Sequence, residues 1–235
     1  MNGPAVPVEG VINLNKPRGI SSARAVGIVK RKLPRNTKIG HAGTLDPFAT
    51  GVLLLLIGKA TKCCELLMDQ PKQYLTMVKL GATTPTDDPE SPETPTPGIE
   101  PVATERVEEA IQTFVGEILQ RPPAFSAMKI GGRRAYDIAR RGGEVELKPR
   151  PVKIYSIELI EYAWPFVKLR IDCGRGAYIR AIARDLGEML GCGGHLTELA
   201  RTRVGDYTIE NAVTLEQIAE GAIESRLTPV PGASA

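Results

Sequence analysis

One stretch gathers residue types that could do chemistry together: Gly40-His41-Ala42-Gly43-Thr44-Leu45-Asp46-Pro47-Phe48-Ala49-Thr50-Gly51. Glycines 40, 43 and 51 let the backbone turn tightly and approach a ligand. His41 and Asp46 sit between them. Taken singly, each has an ordinary reading. Asp-Pro favours a turn on its own, and a loop histidine is commonly satisfied by its neighbours. The combination carries more, because an apolar run, Val52 to Ile57, follows at once and would hold the loop rigid.

Other familiar sites fail on their spacing. Gly51 to Ala60 has six residues between its glycines where a phosphate loop has four, and Ala60 where the Mg²⁺-binding hydroxyl should stand. Gly191-Cys192-Gly193-Gly194 lacks the third glycine of a dinucleotide fingerprint. The two histidines, His41 and His195, form no HExxH. Asp87-Asp88 lies in a proline-rich run and reads as solvated rather than metal-bound. Cys63, Cys64, Cys173 and Cys192 form no CxxC pair and read as reduced, mostly buried thiols. We expect no cofactor and no metal.

The elements that must position this loop can be read in outline. Val11 to Asn15 reads as a strand, and Ser21 or Ser22 caps a helix running to about Lys32. Pro34 to Thr50 reads as loop, Val52 to Ile57 as a buried strand, and Lys59 to Met68 as a helix. In Tyr74 to Leu80 the residues Tyr74, Thr76, Val78 and Leu80 share one strand face. Thr83 to Pro101 holds six prolines and five acids and reads as a mobile loop. Val107, Ala110, Ile111, Phe114 and Val115 mark an amphipathic helix ended by Gly116. A short helical piece is expected near Ala135 to Arg141. Val152 to Tyr162 and Phe166 to Cys173 read as adjacent strands. A tight turn at Gly174-Arg175-Gly176 leads into a helix with Ile179, Ile182, Ala183, Leu186 and Leu190 on its apolar face. Thr214 to Gln217 is a capping box for a last helix. This mixture predicts an α/β fold of the α+β type around a mixed sheet.

The 235 residues suffice for one full domain at roughly 150 residues per domain. The longest apolar run is six residues, against the roughly 20 a membrane helix needs, and MNGPAVPVEG is no secretory signal. The net charge of +3 hides segregation. Eight basic residues and no acid lie between Glu9 and Asp46, and nine bases against three acids between Arg121 and Lys153. Asp87 to Glu109 reverses this, with eight acids and Arg106 alone. Two basic blocks point to a polyanion-binding face with the acidic stretch turned elsewhere; solvated helix faces are the alternative.

Four motifs, in order, resemble one family. They are GVINLNKPRGISS (Gly10–Ser22), GHAGTLDPFATGVL (Gly40–Leu53), KQYLTMVKLG (Lys72–Gly81) and CGRGAYIRAIARDLG (Cys173–Gly187). From Gly10 to about Thr228 the chain is similar to the bacterial tRNA pseudouridine synthases of the B type, the TruB family, which modify the T-loop uridine at tRNA position 55. The resemblance implies a largely antiparallel central sheet flanked by helices, with a basic, thumb-like insertion at about 121–152 closing over the RNA. It implies that uracil leaves C1′, rotates and rejoins through C5, without net redox change or group donor.

By the same resemblance, Asp46 is the nucleophile, Arg180 the arginine that pairs with it, and Tyr74 the residue that stacks on the base and helps remove the C5 proton. His41, Tyr178 and Leu199 match residues that hold the flipped nucleotide. Lys16 belongs to a KP motif, where packing is as reasonable as catalysis. Arg133 and Arg134, in the insertion's Gly-rich turn, are candidates for the RNA backbone. We expect a single catalytic domain without the family's usual small C-terminal RNA-binding domain, and a cytoplasmic monomer that takes the tRNA T arm and needs neither membrane nor protein partner. A pseudouridine synthase for another RNA and a tRNA-folding chaperone with dispensable catalysis are the alternatives.

Overall fold

The computed structural model describes residues 8–126, 129–130, 133–134 and 147–229, with the backbone alone at 129–130 and 133–134. Two compact units divide the chain: Met1–Gln73 with Ala200–Ala235, and Tyr74–Leu199.

The first unit is organised by its most apolar segment. β1 (Gly10–Lys16) runs antiparallel to β3 (Thr50–Ile57), with Leu14 opposite Leu53. On its other edge β3 takes β2 (Ile39–Ala42), antiparallel, with His41 opposite Leu55. Seven of the eight β3 residues are buried, as expected of a strand covered on both faces. The segment Pro34 to Thr50 is thus not all loop; β2 alternates too weakly, in four residues, to stand out. β12 (Gly194–Val204) enters this unit at Ala200 and pairs in parallel with β3, Arg201 opposite Gly51. It then pairs with β13 (Tyr207–Thr208).

α1 (Ser22–Lys30) begins at Ser21, whose hydroxyl accepts from the Arg24 N–H at 3.1 Å. The expected helix after β3 is a 3₁₀ stretch, Gly58–Cys63, followed by α2 (Cys64–Asp69). Val11, Val52, Leu54, Leu56, Ala60, Leu67 and Val204 form this unit's core. The last helix, Leu215–Glu220, opens on the expected capping box of Thr214 and Gln217.

In the second unit the strand order is β12, β4 (Lys72–Leu80), β11 (Phe166–Cys173), β10 (Arg150–Ala163), β7 (Gly116–Gln120). β4 alternates as expected, with Tyr74, Thr76, Val78 and Leu80 buried. In β11, Val167, Leu169, Ile171 and Cys173 are wholly buried. Helix α3 (Thr104–Gln112) packs against β10 and against α4 (Ile179–Met189). Val107, Ala110 and Ile111 point inward from α3, while Val115, expected on the same face, is exposed beyond the helix end. Gly187 on α4 has no room for a side chain: a Cβ would meet the Gly194 nitrogen at 2.1 Å. Helices with mainly antiparallel strands make this an α+β fold. Among the described residues, no helix is long and apolar enough to cross a membrane.

The proline-rich segment differs from its reading as a mobile, solvated loop. β5 (Ala82–Thr83) pairs with β6 (Thr94–Pro95), closing it into a hairpin, and Asp88 within it is 1% exposed. β8 (Lys129–Ile130) and β9 (Arg133–Arg134) form a second antiparallel pair. The short helix expected near Ala135 to Arg141, like half of the insertion, lies outside the described residues.

Candidate active site

The loop between β2 and β3 carries Asp46, and three buried polar side chains of the first unit fasten it. The Ser22 hydroxyl donates to the Leu45 carbonyl at 2.9 Å and accepts from the Leu45 N–H at 2.8 Å. Lys16, wholly buried, donates from Nζ to the carbonyls of Pro17, Ile20 and, at 3.3 Å, Pro47. Arg201 donates from Nε to the Val52 carbonyl at 2.7 Å, and from its terminal nitrogens to Gly43 and Thr44. The Ala49 N–H closes a turn on the Asp46 carbonyl at 3.1 Å. Leu45, Phe48 and Ala49 are buried; Asp46 between them is only partly so. A surface loop is thus given strand-like rigidity with one carboxylate left near solvent. Lys16 is placed as a holder of this backbone.

Gly51 is the hinge that the motif requires. Its φ is +99°, and a Cβ there would meet the Arg201 carbonyl oxygen at 2.2 Å. Glycine alone meets both conditions. His41, on β2, has its pKa lowered chiefly by burial and further by the Arg201 charge; the Gly43 backbone opposes this. Its imidazole is neutral at physiological pH, which leaves one ring nitrogen able to accept a hydrogen bond.

The second unit holds the other matched residues. Arg180, in the first turn of α4, has a side chain 5% exposed. Its guanidinium donates to Asp88 Oδ2 at 3.0 Å, to the Thr86 carbonyl at 3.0 Å and to the Phe125 carbonyl at 2.8 Å. Asp88 in turn accepts from the Thr86 hydroxyl at 2.6 Å and the Glu90 N–H at 2.9 Å. Sequence reasoning set Asp88 aside as solvated. The composition of the proline-rich run argued for exposure, and no local pattern announced a partner some ninety residues away. Arg184, one turn further along α4, is also enclosed, its side chain 14% exposed. It lies 3.2 Å from Asp87 and donates to the Arg121 carbonyl at 2.8 Å.

Gln120, at the end of β7, clamps Tyr178 from both sides: it accepts from the Tyr178 N–H at 2.8 Å and donates to its carbonyl at 3.1 Å. The Arg150 guanidinium stacks over the Tyr178 ring at 5.1 Å and donates to the Gly176 carbonyl. Tyr74 is 7% and Leu199 8% exposed, on β4 and β12 of this unit. The side chains of Arg133 and Arg134 lie outside the described residues.

The first unit thus holds a half-buried carboxylate on a fixed glycine loop, and the second holds a buried tyrosine and a buried arginine. The class is a pseudouridylate synthase: residues 30–179 match the model of the TruB family pseudouridylate synthase N-terminal domain, and residues 180–229 that of the tRNA pseudouridylate synthase B C-terminal domain. The chain belongs to the TruB family, and it is an isomerase.

The protein called tRNA pseudouridine synthase B in Bacteroides fragilis is 49% identical over 215 residues, covering 89% of this chain and 92% of that one. The protein of that name in Aromatoleum aromaticum is 44% identical over 94% of this chain and 71% of its own. Among solved structures, a chain of the crystal structure of a Cbf5-Nop10-Gar1 complex is similar with a TM-score of 0.73 and 29% identity, over 94% of this chain. This chain spans 60% of that one.

Proposed function

We propose that this enzyme converts the T-loop uridine at position 55 of tRNA to pseudouridine, with Asp46 as nucleophile. The observation that carries this reading is the loop itself: a family loop whose one carboxylate stands partly exposed while the Gly43, Thr44, Leu45 and Pro47 carbonyls are tied down. Asp46 attacks covalently and leaves again. The N1–C1′ bond breaks, the uracil rotates, a C5–C1′ bond forms, the C5 proton is lost and N1 gains one. Atoms and charge balance without a cofactor.

The target base is stacked inside the RNA loop, so it must be extruded, and pocket contacts offset the cost of unstacking. In this reading His41, Tyr178 and Leu199 hold the flipped nucleotide. Tyr74 stacks on the base and assists removal of the C5 proton. Arg180 keeps the reacting carboxylate ionised and oriented. Arg133 and Arg134 of the basic insertion bind phosphate, and each lost contact lowers the log–log salt slope by roughly 0.7–0.9. The enzyme works as a cytoplasmic monomer.

The test is Asp46→Asn, which keeps the shape and removes the nucleophile. Pseudouridine mapping of tRNA after incubation with the purified variant should show no product at position 55, with tRNA affinity within about tenfold of wild type. Turnover near the wild-type rate would remove Asp46 from the reaction. Product at another tRNA position would move the substrate assignment.

A further inference from the structure

Arg201 was not among the residues that either motif or charge pattern singled out. Its side chain is 1% exposed, among the largest wholly enclosed side chains of the protein. Among the described residues its partners are all backbone carbonyls, with no carboxylate at ion-pair distance. A buried guanidinium without an acid is costly to retain, so a purely apolar packing role would be better served by leucine or methionine. What the guanidinium does supply is a rigid planar fork of donors.

The three carbonyls it grips have a common feature. Gly43 and Thr44 lie just before Asp46, and Val52 just after it on β3. One side chain therefore spans both ends of the segment that carries the nucleophile. The backbone of Arg201 is equally committed, pairing with Gly51 so closely that a Cβ there would meet its carbonyl oxygen at 2.2 Å. Ser22 and Lys16 fasten the middle of the loop, at Leu45 and Pro47. The β2–β3 ladder closes the base of the loop at Ala42 and Leu54, and Arg201 ties its two arms together above that point. The same charge acts on His41, across the strand start.

We propose that Arg201 is a positioning residue for the isomerisation, fixing where the Asp46 carboxylate stands without touching the substrate. The inference rests on Asp46 being the nucleophile. A displacement of about 1 Å at a reacting group can cost a hundredfold in rate, so the loss should appear in the chemical step and not in RNA binding.

The experiment compares Arg201→Gln and Arg201→Lys with wild type in single-turnover assays at saturating tRNA, with Kd for tRNA and Tm measured on the same samples. Arg201→Gln should react about a hundredfold more slowly per folded molecule, with Kd within about threefold, because orientation and not contact is lost. Arg201→Lys keeps the charge and reaches fewer carbonyls; it should fall between the two, about tenfold below wild type. If Arg201→Gln does not fold, the Arg201→Lys rate decides alone. A wild-type single-turnover rate in Arg201→Lys, or losses of rate and affinity in equal proportion, would overturn the proposal. Asp46→Asn is assayed alongside: product from that variant would instead strike down the nucleophile assignment, while an inactive Asp46→Asn beside a fully active Arg201→Lys refutes this inference alone.

Discussion

Two segments of this protein hold a charged group in place by opposite means. In the first unit, the Asp46 loop is gripped by cations: Lys16 and Arg201, both buried, bind its carbonyls, and Ser22 completes the hold. In the second, Arg180 is gripped by an anion, Asp88, with backbone carbonyls of Thr86 and Phe125 filling the rest of its fork. The first arrangement leaves its charged group partly exposed and free of rotation in the backbone. The second encloses the charge itself. The difference fits the roles proposed for the two groups. A nucleophile must be reached by its substrate, whereas an arginine proposed to orient it must not drift.

The contrast is most easily broken at Asp88. Replacing it with alanine takes the carboxylate from a buried ion pair, which costs about 3–5 kcal/mol. For a chain of this size that is a fall in Tm of roughly 10 °C, at about 2–4 °C per kcal/mol. Thermal unfolding by circular dichroism measures it. A loss under about 1 kcal/mol, within the range of exposed pairs, would mean that the carbonyls alone hold Arg180. Single-turnover activity should fall as well, because Arg180 loses its orientation.

Gly51→Ala probes the other segment with a smaller expected effect. The substitution forces a side chain into a backbone with φ +99° and against the Arg201 carbonyl. Strain of about 1–3 kcal/mol and a similar overpacking cost of about 1–3 kcal/mol should together remove about 3 kcal/mol. Urea unfolding gives the number, and the m-value should not change. A neutral Gly51→Ala would show that β12 can shift away from the loop, and that the hold on Asp46 is looser than its hydrogen bonds suggest.

These two segments were not equally legible in the sequence. The Asp46 loop announced itself through glycines, a basic block and the apolar run of β3, all between Lys16 and Ile57. The expected strands β1, β3, β4, β10 and β11 formed because their apolar residues alternate or run together, and helix caps at Ser21 and Thr214 were visible as single residues. β12 was not read as a strand. Two of its buried positions are His195 and Arg201, so its polar residues hide the alternation that burial would otherwise print on a strand. Asp88 was missed for the same reason in reverse. Prolines and acids mark a solvated loop by composition, and only the three-dimensional pairing with Arg180 reverses that. Buried charge is satisfied by partners far along the chain, and periodicity carries no trace of such partners.

The finest test of the comparison lies one residue from Asp88. Asp87 sits at φ +59° with its side chain 14% exposed and 3.2 Å from Arg184. Burial pushes its pKa up to about 6, against the pull of Arg184 and Arg180. The folded value thus stands above the unfolded one of 3.8, so the folded protein binds this proton more tightly than the unfolded chain. Its contribution to stability is complete below pH 3.8 and is lost as pH rises through about 6. At pH 7 Asp87 costs about 1–3 kcal/mol relative to its protonated form. Asp87→Asn mimics that form and tolerates the left-handed backbone. It should therefore match wild type near pH 4 and exceed it at pH 7, by about 1–3 kcal/mol in urea unfolding. Subtracting the two proteins cancels titrating groups remote from Asp87; Asp185, whose pKa burial also raises and whose charge acts on Asp87, shifts with it. A variant less stable than wild type at pH 7 would mean that Arg184 holds Asp87 ionised, and that both acids of this hairpin serve as anchors for α4 arginines rather than Asp88 alone.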